Sequence, residues 1–391
     1  MKYSPTESTL GGMRAPGAML LAALFALAPV PMSAAGPTWE QWQLIAGVFD
    51  LGGPRSDGSL VVAGSANLYL VDPAGNVTPF ARGPGGYRKD AGAEAYLTVS
   101  PDAHVAAAGC DFVRDEAFLL RLHVPLGIER VDAPGENTGS FANVTGVTSL
   151  NGIAFDTTGA FDHRLLVSGP ANGKTVITAI DCKGTTQVIT STAPTFEGGI
   201  AVAPITFGNF GGYLIAPDEL SGTIWAISPE GTANKLVDSG LPKGGDIGVE
   251  SVAFVPPGFD RGGELYYSDR KTPNNPHPGT DSLLRMSSAD LISAGVQDGD
   301  LLAATEGGAS MIDVRCDTSC HVATVVSVPT SAHGEGHLVF TMSPPPQPSR
   351  SPIAIPIGQA HPIPVAPFVA IAAAVLAALA AAILAATRRR R

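Results

Sequence analysis

A five-residue phrase occurs three times in this sequence, and it restricts the possible folds more than any other feature. The copies are Asn-Gly-Ile-Ala-Phe at 151–155, Gly-Gly-Ile-Ala-Val at 198–202 and Glu-Ser-Val-Ala-Phe at 250–254. After each copy comes a second apolar stretch that ends in a polar turn, as at 165–169 and 265–269. A period of roughly 50 residues with several short strands per repeat is typical of the blades of a β-propeller.

The other strand patterns group into blades of the same kind. The first blade is predicted over 44–90 and the second over 95–134, while the third and fourth contain the first two copies of the phrase. The fifth begins at Glu250 and the sixth covers 301–342. The sequence therefore predicts an all-β, six-bladed β-propeller over residues 36–342, and the less regular first and last blades leave five or seven blades open.

Composition agrees with this class and excludes one kind of partner. Hydrophobic residues make up 45% of the 391, enough for a large core, and the 46 glycines and 33 prolines fall between short apolar runs, where turns need them. The formal net charge is −11, and no basic patch precedes the C-terminus. Because binding to phosphates needs a basic surface, nucleic acid is excluded as a partner.

Residues 1–35 have the pattern of a secretory signal peptide. Lys2 and Arg14 precede an apolar segment at 19–30 that is too short to span a bilayer, and small residues at 33–35 suit a cleavage site. An uncleaved N-terminal anchor is the alternative. The mature chain is expected to begin near Gly36.

The C-terminus has the pattern of a membrane anchor on a stalk. Residues 343–367 are rich in proline, which favours an extended, semi-rigid linker. Residues 368–387 form an apolar transmembrane helix in this interpretation, and the arginines at 388–391 are cytoplasmic by the positive-inside rule. We therefore expect a cell-envelope protein that crosses the membrane once, with its N-terminus and propeller outside. A buried core helix is the alternative.

The same ending resembles bacterial sorting signals of the PEP or IPTL type, which combine a proline-containing motif, an apolar helix and an arginine cluster. The motif position here reads His-Pro-Ile-Pro-Val at 361–365, which departs from both consensus strings. The resemblance implies that a protease removes the helix, so that the mature protein is released.

The four cysteines suit an exported protein, where disulfides persist. Cys316 and Cys320 are close enough in sequence to close a tight loop, which leaves Cys110 to pair with Cys182. A zinc site built from Cys316, Cys320 and His321 is the alternative.

The repeated phrase also indicates where chemistry can take place. The innermost strands of a propeller line a central channel, so residues at their starts converge at one mouth. Asn151, Glu197 and Glu250 are predicted there as ligands of a divalent cation, with calcium favoured because it takes six to eight oxygen ligands. Alternatively, each of them only bonds the backbone of a neighbouring blade. Further ligand candidates around the mouth are Asp218, Asp269, Glu335 and His337.

The phrase at 151–156 resembles the Asn-Gly-Leu-Ala-Phe-Ser phrase of the gluconolactonase and senescence-marker family of six-bladed, NHL-like propellers. That resemblance implies a divalent metal, bound by a glutamate, an asparagine and an aspartate, that polarises a lactone carbonyl for attack by water. Asn151 matches the asparagine and Glu250 is a candidate for the glutamate. The aspartate has no match, because Gly198 stands in the equivalent position and Glu197 lies one step earlier.

Two functions follow from these observations. One is an extracellular module that binds a ligand or a surface protein and is stabilised by a metal. The other is a metal-dependent hydrolase of lactones or esters with its site at the channel mouth. The sequence contains no Gly-x-Ser-x-Gly elbow, His-Glu-x-x-His motif or phosphate-binding loop, so we favour the binding module.

Overall fold

A computed structural model describes residues 36–65, 67–81 and 94–343. These residues form six four-stranded antiparallel sheets, which confirms the all-β, six-bladed propeller. The predicted signal peptide, the transmembrane helix and nearly all of the proline-rich linker lie outside the described residues. Within the described ranges, no helix has the length and apolar character needed to cross a membrane.

Blades 1 to 4 are built from strands that follow one another along the chain, from the channel outward, after an initial strand β1 (Glu40–Leu44). Blade 1 contains β2 (Asp50–Gly52), β3 (Leu60–Ala63), β4 (Leu68–Val71) and β5 (Val77–Phe80). Blade 2 contains β6 (Leu97–Val99), then a two-stranded ribbon of β7 (His104–Val105) and β8 (Cys110–Asp111), then β9 (Ala117–Arg121), β10 (Gly127–Val131) and β11 (Thr138–Asn143). Blade 3 contains β12 (Gly152–Phe155), β13 (Leu165–Ala171), β14 (Lys174–Ile180) and β15 (Thr186–Ala193). Blade 4 contains β16 (Ala201–Val202), β17 (Leu214–Asp218), β18 (Thr223–Ile227) and β19 (Ala233–Asp238), with a 3-10 turn at Gly208–Phe210.

Blades 5 and 6 share the rest of the chain in an interlocked order. The remaining elements are β20 (Val249–Phe254), a 3-10 turn at Phe259–Arg261, β21 (Gly263–Asp269), β22 (Ser282–Ser287), α1 (Ser288–Ser293), β23 (Leu301–Thr305), β24 (Met311–Cys316), β25 (Cys320–Val326) and β26 (Gly334–Met342). Blade 5 is β20-β23-β24-β25, whereas blade 6 is β26-β21-β22-β1. The N-terminal strand and the C-terminal strand therefore close the ring in one blade.

This order corrects the predicted membership of the last two blades. The sequence predicts 265–269 in the fifth blade and 301–342 in the sixth. Instead, β21 pairs with β26, and β23 pairs with β20 and brings β24 and β25 into the same sheet. An alternating apolar strand fits the edge of either neighbouring sheet, so its pairing is decided by distant partners. Trp42 of β1 provides one such contact, because its ring packs 4.9 Å from the ring of Tyr266 in β21.

The repeated phrase forms innermost strands, as predicted, and its glycines allow these strands to approach closely. Gly198 has a φ of 85°, and a Cβ atom there would lie 1.9 Å from the carbonyl oxygen of Glu250. The amide of Gly199 donates to that same oxygen at 2.9 Å. Glycine is therefore required at 198 both by the backbone conformation and by the contact with the next blade.

Apolar side chains fill the space between neighbouring blades. Phe112 and Phe118 of blade 2 both meet Phe155 of blade 3 edge to face, with ring centroids 4.9 and 5.5 Å apart. Both predicted disulfides are present, Cys110–Cys182 between blades 2 and 3 and Cys316–Cys320 within blade 5. Because Cys316 and Cys320 are bonded to each other, the zinc alternative is wrong.

Candidate functional site at one channel mouth

The six innermost strands run in the same direction, so the central channel has two chemically different ends. Their first residues meet at one mouth, which we call the acidic mouth and define by Glu197, Glu219, Glu250, Glu306 and Glu335. Their last residues surround a cavity of about 470 Å³ at the other end, which we call the apolar end. The side chains of this cavity include Leu51, Leu97, Phe155, Phe254 and Phe340.

Two of the acidic side chains are buried against one tyrosine. Glu250 is the second residue of the innermost strand of blade 5, Glu335 lies in the innermost strand of blade 6, and they are 3% and 2% exposed. The hydroxyl of Tyr96 lies 2.8 Å from Oε1 of Glu250 and 2.7 Å from Oε1 of Glu335. A hydroxyl has one proton to donate, so it satisfies both contacts only when one of the two carboxyls is itself protonated.

The other acidic residues follow or precede strands of neighbouring blades. Glu219 comes directly after β17 and Glu306 directly after β23, and both are buried. Glu197 lies before β16 at the exposed rim of the mouth. The side chain of Glu219 interacts with those of both Glu197 and Glu306, so the carboxyls form a continuous row.

Arginine and histidine supply positive charge and hydrogen bonds to this row. Nη1 of Arg270 donates to Oε1 of Glu94 at 2.6 Å and to Oε2 of Glu335 at 2.8 Å. Nε2 of His333 lies 2.8 Å from Oε1 of Glu306, and the side chain of His333 is buried. The mouth therefore combines carboxylates, an imidazole and a guanidinium in a space largely shielded from water.

Crowding raises the proton affinity of these carboxyls. Burial, with the charges of Glu94 and Glu306, raises the pKa of Glu335 to about 8. Burial and the charge of Glu335 raise the pKa of Glu250 well above its ordinary value. Desolvation raises the pKa values of Glu197, Glu219 and Glu306 to about 7, aided by neighbouring acids. Burial lowers the pKa of His333, so its imidazole is neutral at pH 7.

Asn151, Glu197 and Glu250 lie around the same mouth, but the asparagine is largely occupied. Nδ2 of Asn151 donates to the carbonyl of Phe196 at 2.9 Å, and its Oδ1 accepts from Oγ of Ser168 at 3.1 Å. A side-chain hydrogen bond from Asn151 to Glu197 partly offsets the rise in the pKa of that carboxyl. Asn151 thus joins blades 3 and 4 at the edge of the carboxyl row.

Of the four further candidates, only Glu335 belongs to the carboxyl row. Asp218 accepts hydrogen bonds from the amide of Ser221 at 3.2 Å and from its hydroxyl, and so closes its own turn. Asp269 accepts from the amide of His333 at 2.8 Å, which holds the backbone of that residue in place. His337 lies deeper in the channel and lines the apolar end.

His337 forms a bridge between innermost strands below the acidic mouth. Its Nδ1 lies 2.9 Å from Oδ1 of Asp50, and its Nε2 lies 2.8 Å from the carbonyl oxygen of Ile153. Because both partners are acceptors, both ring nitrogens carry protons and the ring is an imidazolium. Burial opposes this charge, but the carboxylate of Asp50 outweighs burial and raises the pKa of His337.

Several residues of the mouth were not predicted from the sequence, namely Glu94, Tyr96, Glu306 and His333. One signal was available for Glu306, because it follows the second strand of blade 5 as Glu219 follows the second strand of blade 4. His333 had no such signal, because it lies in the loop between β25 and β26 and reaches the mouth by backbone pairing with Gly307.

Comparison with known proteins finds only distant structural neighbours. No protein-family model matches this chain, and no curated protein matches it. Similar solved structures include virginiamycin B lyase from Staphylococcus aureus, with 12% identity, a TM-score of 0.42, and coverage of 78% of this chain and 96% of that one. A putative gluconolactonase has 11% identity and a TM-score of 0.44 over 76% of this chain and 83% of its own. The calcium-binding protein regucalcin from Agrobacterium tumefaciens has 11% identity and a TM-score of 0.44 over 76% and 79%.

Gluconolactonase-like and regucalcin structures are thus among the neighbours, as the sequence resemblance predicted. At these identities and TM-scores, the roles of residues in those proteins are not transferred to this chain. The chemistry of the acidic mouth follows from its own side chains.

Proposed function

We propose that this protein is an exported, membrane-anchored propeller that binds an extracellular ligand or surface protein at its acidic mouth, with a divalent cation as part of the site. The observation that carries this proposal is the row of five glutamates, four of which are buried. The only positively charged side chain that the described residues place against them is Arg270. A divalent cation would supply the missing positive charge.

Electrostatics explains why such a cation would bind. Several like charges in a space of low dielectric repel one another strongly, which raises the pKa values of Glu335 and Glu306 and favours their protonated forms when no cation is bound. A cation that displaces these protons restores hydrogen-bonding and charge balance together. If only the glutamate oxygen atoms of the mouth are considered, they favour calcium, which accepts six to eight carboxylate, carbonyl and water oxygens.

The location at the cell envelope is part of the same proposal. Two disulfides among the described residues suit an oxidising compartment outside the cytoplasm. The apolar segment at 368–387 would hold the protein at the membrane. Fractionation of cells that express the full chain tests this directly, with the membrane fraction expected for an anchored protein and the medium for a processed one.

Thermal melting of the full chain tests the cation dependence. After treatment with a chelator, addition of calcium or magnesium is expected to raise the melting temperature, since a ligand at about 100 times its dissociation constant stabilises the native state by about 2.7 kcal/mol. Glu250→Gln should reduce this shift, whereas Glu230→Gln, which alters an exposed turn, should leave it unchanged. The same shift in both variants, or no shift of the native protein with any divalent cation, contradicts the proposal.

A hydrolase is the second candidate, and the pairing of His333 with Glu306 favours it. A carboxylate that orients a neutral imidazole beside a metal site is an arrangement suited to activating water. Assays with a panel of lactones and esters, with and without added cation, distinguish the two. Turnover that requires both the cation and His333 would establish the enzyme, and its absence across the panel would favour the binding module.

A further inference from the structure

We propose that Glu306, His333 and Glu335 form a mixed nitrogen–oxygen centre for a divalent transition-metal ion such as Mn²⁺, Fe²⁺, Co²⁺ or Zn²⁺. This inference rests on the proposed function, because it specifies the ion and the ligands within the same mouth. It replaces an all-oxygen calcium site around Asn151 and Glu250 with a site that lies between blades 5 and 6.

The first argument is the spacing of the donor atoms. One ligand atom from each of the three residues lies within 4.8 Å of the others, and His333 Nε2 is 2.8 Å from Glu306 Oε1. Neighbouring ligands around one ion are about 3 to 3.4 Å apart for bonds of about 2.1 to 2.4 Å. The cluster is therefore compact enough for one ion to bind all three residues.

The second argument is that the backbone holds these three residues in place. The amide of Glu306 donates to the carbonyl of Gly248 at 2.8 Å, and its own carbonyl accepts from the amide of Gly334 at 2.7 Å. His333 donates its amide to Asp269 at 2.8 Å and accepts from the amide of Arg270 at 2.8 Å. The ligands thus belong to paired, rigid backbone, which limits the rearrangement needed on binding.

The third argument is a buried hydroxyl with no partner. The side chain of Tyr267 is fully buried, and its Oη has no hydrogen-bond partner among the described residues. This hydroxyl packs on Gly334, between two of the proposed ligands, where a Cβ atom would lie 2.7 Å from it. A buried hydroxyl is costly when unpaired, and a metal-bound water would give it a partner.

Two more unpartnered atoms belong to the same place. Nδ1 of His333 and Oε1 of Glu219 are buried without a partner in the described part of the chain. The neutral imidazole of His333 is the form that binds metals. Three protein ligands leave further coordination positions open, so the ion can also hold water or an external ligand.

The type of ligand decides the class of ion. Imidazole nitrogen suits zinc, copper, iron and nickel, while sites for calcium and magnesium consist of oxygen atoms. A site with one imidazole and two carboxylates therefore discriminates against calcium. His333 is the residue on which that discrimination depends.

The experiment is a titration of the chelator-treated full chain with Co²⁺ at pH 7.5, and with calcium in parallel. Binding is measured by visible absorption for cobalt and by thermal melting for both ions. We expect Co²⁺ bands that saturate at one ion per chain and binding at least about 100-fold tighter than that of calcium. His333→Gln should weaken cobalt binding by at least about 100-fold, since even residues that only orient ligands contribute 10- to 100-fold. His321→Gln, on the exposed outer strand β25, is the matched control and should bind normally.

Circular dichroism without metal shows whether each variant is folded, and Glu306→Gln replaces His333→Gln if the latter does not fold. The mixed centre would be overturned if cobalt and calcium bound with equal affinity, and if this binding were unaffected by His333→Gln but lost in Glu250→Gln. That result would leave the proposed cation-dependent function intact. Failure of every ion to bind would overturn both proposals.

Discussion

The two ends of the channel are made from the same six strands but differ in what they contribute. At the apolar end, Phe155 and its neighbours bury their rings between blades, which stabilises the fold. At the acidic mouth, Glu250 and Glu335 are equally buried, yet their mutual repulsion opposes folding. The comparison teaches that this propeller separates stabilising apolar contacts from destabilising buried charge along one axis, and that its acidic mouth is held together by the rest of the ring.

The largest expected effect concerns the apolar end. Phe155→Ala removes a ring that packs on Phe112 and Phe118 and should lower the free energy of unfolding by about 3–5 kcal/mol. Chemical denaturation measures this, and Val188→Ala at an exposed position is the control. The melting shift caused by a cation should persist in Phe155→Ala, and its loss would mean that the two ends are not independent.

The next effect lies between the two ends, at the pair of His337 and Asp50. His337→Gln should cost about 1.5–3 kcal/mol, the value of hydrogen bonds to charged groups. Because the folded pKa of His337 is raised, its stabilisation is complete below the unfolded pKa of about 6.5 and is lost as the pH rises through the folded value. The stability difference between native protein and variant should therefore shrink at alkaline pH. A difference that grows with pH would refute the imidazolium.

A smaller effect is expected from pH on the metal-free acidic mouth. The pKa of Glu335 is about 8 and those of Glu219 and Glu306 are about 7, all above the unfolded value of about 4.5. The folded state therefore binds more protons than the unfolded state in this window, and stability falls as the pH rises from about 4.5 to 8. With chelator present, the melting temperature should drop between pH 5.5 and 8, by about 2–4 °C for each kcal/mol of stability lost.

Glu335→Gln should flatten this pH profile, because an amide cannot ionise. A profile that stays as steep in the variant would assign the effect to other groups.

The smallest effect is a stabilisation. In chelator at pH 8, Glu250→Gln removes one of the crowded acids and keeps an oxygen that can accept from Tyr96, so it should raise stability by up to about 1 kcal/mol. The measurement is the denaturation midpoint of variant and native protein under identical conditions. Destabilisation instead would show that the Glu250 carboxylate is required by the fold and would weaken the contrast between the two ends.

Much of the architecture could be predicted, because it follows from local repetition. The phrase at Asn151 and Glu250 marks innermost strands, and alternation marks the strands that follow it. The interlocking of blades 5 and 6 could not be predicted, since β21 has the same alternation whichever neighbour it joins. Its position depends on β1 and β26, which are more than 200 residues apart in sequence (β1 begins at Glu40, β26 at Gly334).

The residues of the candidate site also fall into two groups, those that could be predicted from the sequence and those that could not. Glu250 and Glu335 were predictable at the mouth because innermost strands start there. Glu306 and His333 were not, because a residue after a second strand and a residue in a loop meet only through the closure of blades 5 and 6. Motif searches depend on short spacing, whereas this histidine and the acid that it contacts are 27 residues apart, from 306 to 333.

The position of β26 has a consequence for protein synthesis. This strand is the last of the propeller to leave the ribosome, and it brings Glu335 to the mouth and His337 to the bridge with Asp50. A chain that stops before Gly334 lacks the innermost strand of blade 6, one wall of the channel and part of the proposed ion site. Binding of an ion at the proposed site would therefore require a chain that extends through β26.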